Sequence, residues 1–131
     1  MGIELPSDDE IAVWAGEVVE SGADPVYFYG LLSRMGIDYS SISSITPMDA
    51  WYEFSRSLRD QGAPRDFVDE WDARAAMFKG DAPGVVAEFI ITAYLMNLTI
   101  TALVSGGGSL IAREAVKQIG LAWREHIRQR E

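Results

Sequence analysis

From Val85 to Val104 the chain reads VVAEFIITAYLMNLTITALV, fifteen apolar residues in twenty, with Glu88 as the one charge. As a helix, such a segment has two destinations: a bilayer, or the interior of a helical bundle with apolar neighbours on nearly every side. The interruptions favour the bundle. At helical spacing Glu88, Thr92 and Thr99 fall on one face, and Asn97 and Thr101 on the opposite one. A packed interior offers such groups partners, whereas hydrocarbon penalises them, an ionised glutamate most. On the N-terminal side Asp81 stands between the run and Lys79, while Arg113 and Lys117 follow the run. The expectation is a central buried helix over 85–104, the spine of the bundle, with Glu88, Thr92 and Thr99 as a candidate buried polar site. Its second half, NLTITALV, alternates polar and apolar through Ala102 and suits a strand as well as a helix. No second alternating run offers that strand a partner, which favours the helix.

Caps and glycines punctuate the rest of the chain. Ser7 and Glu10 form a capping-box pair ahead of Ile11, Trp14, Ala15 and Val18 at helical spacing, and Ser21-Gly22 ends that run. Asp24-Pro25 opens a second helix carrying Phe28, Leu31, Leu32 and Met35, closed by Gly36, with Tyr27 at its rim. The serine-rich IDYSSISSI connects to Thr46-Pro47, which restarts a helix with Trp51, Phe54 and Leu58 inward and Gly62 at its end. Pro64 opens a further helix through Phe67, Trp71, Ala75 and Phe78 to Gly80. Beyond SGGGS at 105–109, an amphipathic C-terminal helix carries Ala112, Val116, Ile119, Trp123 and Ile127 on one face. The reading is all-α: one domain over 1–131, a compact bundle of about six helices.

Composition removes several function classes. With 48% apolar residues and 11% aromatics in 131 residues, the chain can bury a core. A net charge of −9 argues against a nucleic-acid partner, because neutralising phosphates takes a concentrated basic surface. The charge is uneven, −10 over 1–83 and +1 over 84–131. Without cysteine there is no disulfide, thiol nucleophile or thiolate metal site, which agrees with a cytoplasmic protein. The N-terminus lacks the apolar core of a signal peptide, and Pro6 occupies the position where myristoylation expects Ser or Thr.

No catalytic constellation, metal shell or cofactor fingerprint emerges, so neither an enzyme nor a cofactor is expected. His126, the single histidine, suits the carbonyl end of the last helix or solvent. Asp66, Asp69 and Glu70 share a solvent face opposite Phe67 and Trp71. SGGGS lacks the Lys-Ser/Thr of a phosphate loop. Trp14, Trp51, Trp71 and Trp123 each fall on an apolar face, as core residues do.

One pattern goes beyond composition. LLSRMGIDYSSI, then TPMDAWYEFSRSLRDQGAPRDFVDEW, between Tyr27 and about Arg74, resembles the small helical effector-associated and death-like domains of bacterial conflict systems. In those a leucine-rich helix ends in Gly followed by Ile-Asp-Tyr, and a later helix runs through arginine to glycine and a second apolar helix. Leu31, Leu32, Gly36, Ile37, Asp38 and Tyr39 match the first part; Trp51, Phe54, Leu58, Arg59, Gly62, Phe67 and Val68 match the second. The match covers about a third of the chain. It departs where Ser-Ser-Ile-Ser-Ser-Ile replaces the family's Leu-Pro-Gly, and where 84–131 exceeds the family's module. The resemblance implies a death-like portion over 1–80, followed by the apolar and C-terminal helices over 81–131. It implies a non-enzymatic adaptor in bacterial defence or signalling, joining protein partners or copies of itself through helical contacts. Asp38, Tyr39, Arg56 and Arg59 are then the candidate interaction residues, with Arg34 and Arg65 adding positive charge to the acidic front. The alternative is a small-molecule-binding bundle, a sensor or immunity-type protein, with Glu88, Thr92 and Thr99 inside the pocket.

Overall fold

The computed structural model describes residues 4–36, 47–66, 68–69, 72–73 and 85–130, with side chains left undescribed at 47–51, 85–92 and 130. Helices account for nearly all of these, and no strand occurs among the described residues. In chain order the helices are α1 (Asp8–Glu20), α2 (Pro25–Phe28), α3 (Gly30–Arg34), α4 (Pro47–Asp60), α5 (Val85–Ser105) and α6 (Ser109–Arg130). Between α4 and α5, Arg65, Asp66, Val68, Asp69, Asp72 and Ala73 are helical too; the expected end of that segment at Gly80 lies outside the described residues.

The caps expected at Ser7 and Asp24 form, and the one expected at Thr46 lies outside the described residues. Ser7 and Glu10 make both bonds of a capping box, and the Asp24 carboxylate accepts from the Val26 amide at 2.9 Å, with Pro25 at the first turn. Helices α1, α4 and α5 close alike: the amides of Ala23, Ala63 and Gly108 donate back to the carbonyls of Val18, Leu58 and Leu103 at 2.9 Å or less. At the first closure Gly22 adopts φ +69, and a Cβ there would meet the Asn97 amide nitrogen at 2.6 Å. The Asn97 side-chain amide donates to the Gly22 carbonyl, tying α5 to the α1–α2 turn.

The second helix differs from its sequence reading. It is two short pieces, α2 and α3, joined at Tyr29, which caps both. Phe28 and Tyr29 are consecutive and both buried, whereas successive side chains on one straight helix diverge widely around its axis. The break lets both rings enter the core, where they meet edge-on with centroids 4.6 Å apart. Trp14 and Trp123 complete the cluster, each stacked or tilted against Phe28 within 6.1 Å. The Trp14 indole N–H donates to the Tyr27 carbonyl at 2.7 Å, which gives the buried ring its polar partner. Trp51 and Trp71 have undescribed side chains.

The segment 97–104 is helical, continuous with the rest of α5. Its position is not the expected one. Among the described residues α6, rather than α5, occupies the centre, packing most extensively against α1 and α4 and less against α5. The physical reason lies in the shape of its inner stripe. Ala112, Ala115, Val116, Ile119, Gly120, Trp123 and Ile127 are all buried, and the small members let neighbouring helices come close. At Gly120 an added Cβ would lie 2.7 Å from Ile11 and 2.8 Å from Trp14, so α1 rests on the backbone of α6. Charge follows the same seam: Arg124 pairs with Asp8 and donates to the Pro6 carbonyl, and Arg113 pairs with Glu20 at 3.4 Å. Arginines of the mixed tail thus meet acidic residues of the front within one molecule. Among the residues whose side chains are described, which include α5 only from 93 on, no helix is long and apolar enough to cross a membrane.

Candidate interaction surface

The sequence singles out arginines on α4. Arg59 donates to the Ser55 hydroxyl at 2.7 Å and pairs with Asp72, whose other carboxylate oxygen accepts from Ser55 at 2.8 Å. Ser55 is buried, so this triangle pins α4 to the segment that follows it. Arg56 pairs with Glu53 at 2.6 Å, Arg65 stands 3.9 Å from Asp69, and Arg34 pairs with Glu10 at 2.7 Å. All four arginines therefore have acidic partners within the chain. Asp38 and Tyr39 lie outside the described residues.

At the Arg34 pair the Glu10 carboxyl is held below its ordinary pKa of 4.5. The backbone amide of Ser7 is the largest cause; the Ser7 hydroxyl and Arg34 push the same way, and desolvation pushes against them.

Two hollows run along the outer seam of α4 and α6, one of about 230 Å³ and one of about 360 Å³, with Glu53 and Arg56 lining both. Tyr52, Trp123 and His126 line the larger. The Trp123 indole N–H is buried and has no hydrogen-bond partner among the described residues. No group of three or more His, Asp or Glu side chains suited to a metal ion occurs among the described residues.

The buried polar stripe of α5 is described only at Thr99. That residue is buried, and its hydroxyl donates to the Leu95 carbonyl one turn back at 3.1 Å, so its polar group is satisfied within its own helix. Glu88 and Thr92 lie on α5, but their side chains are outside the described set. Nothing described brings the three together as a site.

A different feature of α5 stands out. Ala93, Leu95, Met96, Thr99, Ile100 and Leu103 are buried, while Tyr94, Thr101, Ala102, Val104 and Ser105 are exposed and Asn97 and Leu98 are half-buried. Over 93–105 the helix is therefore divided lengthwise: the bulky aliphatic half faces the core, and an uncharged half faces outward. Tyr94 is 62% exposed, and across the turn Leu110 is 77% exposed. From Phe89 to Ser105 the sequence has no Asp, Glu, Lys or Arg. Surface helices of globular proteins place charge on their outer side. Here that charge is missing.

Comparison with protein-family models, curated proteins and solved structures returns no match.

The sequence reading missed this face because fifteen apolar residues in twenty suggest burial all round. A weak signal was present in side-chain size. Leu95, Met96, Ile100 and Leu103 recur on one side, with Tyr94, Thr101 and Ala102 on the other.

Proposed function

We propose that this chain is a non-enzymatic protein–protein interaction module, an adaptor of bacterial defence or signalling. The uncovered, charge-free face of α5 around Tyr94, Thr101 and Ala102 carries this reading. Uncharged helix surface left in water costs free energy that a partner recovers by covering it. Tyrosine suits the centre of such a contact, combining large area with few rotatable bonds. The paired arginines at 34, 56, 59 and 65 shift the emphasis from charge complementarity toward apolar packing. The resemblance of 27–74 to effector-associated and death-like domains supports the adaptor role, since those modules work through helical contacts with one another.

The test is site-specific photocrosslinking in the native cell, with a benzophenone amino acid at position 94 and, as control, at exposed Arg128 on α6. The expected result is a discrete protein adduct from position 94 and none from position 128. Equal yields at both positions, or no adduct at either, would sink the reading.

A further inference from the structure

A second surface, separate from the α5 face, lies along α1. We propose that the apolar-floored groove on its outer side docks a basic amphipathic helix of a partner protein. The groove is a hollow of about 300 Å³, floored by Val13 and Trp14 and rimmed by Asp9, Glu10, Glu17 and Arg34. Val13 is 63% exposed and Trp14 is buried, so the floor opens to solvent on the Val13 side. Charge selects the occupant. Helix α1 carries five acidic residues and no Lys or Arg. Asp8, Glu10 and Glu20 pair with Arg124, Arg34 and Arg113, whereas Asp9 and Glu17 pair with no cation among the described residues. These two carboxylates are exposed and lie eight residues apart, about 12 Å along the axis, with Val13 midway on the same face. A helix laid along α1 matches that spacing with two cations eight residues apart and an aliphatic residue between them over Val13.

Gly16 supplies room for the approach. It lies one turn beyond Val13 on the same side of α1, half-buried, and a Cβ built there meets nothing within 4 Å. Glycine weakens a helix interior relative to alanine, and here no heavy atom of the chain lies where its side chain would stand. The space it leaves lets a partner's backbone come close to α1 over the Val13 floor. The net charge of −9 attracts a cationic partner at longer range, and the contact weakens as ionic strength rises because it joins opposite charges.

Fluorescence anisotropy tests this with a fluorescein-labelled amphipathic peptide of Lys, Leu and Ala, carrying two lysines eight residues apart with a leucine midway. The full chain is expected to bind it saturably, less tightly at high salt, and to ignore the same peptide with Glu in place of Lys. Asp9→Asn together with Glu17→Gln weakens binding by about fivefold or more. Asp60→Asn together with Asp66→Asn removes the same two charges from exposed positions elsewhere and changes it by less than about twofold. Gly16→Leu keeps the helix, since leucine is a strong helix former, and weakens binding by about tenfold. Tyr94→Ala leaves it unchanged. Circular dichroism confirms that each variant is folded. Absence of binding overturns the inference, as do equal losses from the two double variants, which would show a response to overall charge, or a folded Gly16→Leu that binds like the wild type. A loss confined to Tyr94→Ala would place the peptide on the α5 face, overturning this inference and leaving the adaptor reading in place.

Discussion

Helices α5 and α6 are almost equal in length, 21 and 22 residues, and pack together, yet their positions reverse their hydropathies. Over 93–105 the more apolar helix has one side in water; among the described residues the more polar one lies at the centre, gripped by α1 and α4. Total apolarity does not choose the hub. What suits α6 to that place is a buried stripe interrupted by small residues, Ala112, Ala115 and Gly120, which brings neighbouring backbones close enough for Trp123 to reach Trp14, Phe28 and Tyr29. Over 93–105 helix α5 has bulk on its inner side and no charge on its outer one.

The harshest way to break this contrast is to truncate the hub. Trp123→Ala removes a side chain that is 2% exposed and touches three other aromatic rings, so a loss of about 3–5 kcal/mol is expected in urea denaturation. Leu103→Ala on the inner side of α5 should fall at or below the lower end of that range. If it costs more than Trp123→Ala, α6 is not the centre.

A sharper test changes one methyl group. Gly120→Ala sets a Cβ 2.7 Å from Ile11, and the overpacking should cost about 1–3 kcal/mol. The same substitution at Gly16, also inside a helix but with nothing within 4 Å of the new Cβ, should stabilise by about 0.5–1 kcal/mol through helix propensity. Opposite signs from the same change would locate the tight seam on the α6 side of α1; equal signs would show that the two helices yield.

This pair also marks what the sequence discloses. The starts and stops were legible because each rests on local chemistry: Ser7 with Glu10, Asp24 with Pro25, and the glycine turns at Gly22 and Gly62. The inward faces of α1 and α6 were legible from their spacing. The break at Tyr29 was not, since only the tertiary core calls for two consecutive rings on one side. The role of Gly120 was not legible either, since the neighbours it meets, Ile11 and Trp14, lie more than a hundred residues back. The site was legible least. A list of arginines says nothing of the carboxylates that Arg56 and Arg59 find at Glu53 and Asp72, and an apolar run does not reveal which side is left uncovered.

A gentler perturbation acts at the start of α1. Because the Glu10 carboxyl is held below 4.5 in the folded chain, its contribution is present at neutral pH and lost as pH falls below about 4.5, where the folded state takes up its proton. Glu10→Gln should therefore flatten that acid limb in thermal melts between pH 6 and about pH 3, with little change in the melting profile of the other helices. An unchanged acid limb would show that the Ser7 and Arg34 contacts leave Glu10 energetically where it is in the unfolded chain.

The smallest expected effect bears most directly on the two helices. Tyr94→Ala, measured on the isolated chain, should change stability by less than about 0.5 kcal/mol, because a ring 62% exposed has little to lose within its own molecule. The difference between this value and the Trp123→Ala value is the contrast between α5 and α6 expressed in energy. A loss of about 2 kcal/mol or more would mean that Tyr94 is packed by its own chain. The α5 face would then be core rather than surface, and the adaptor reading would lose the observation it stands on.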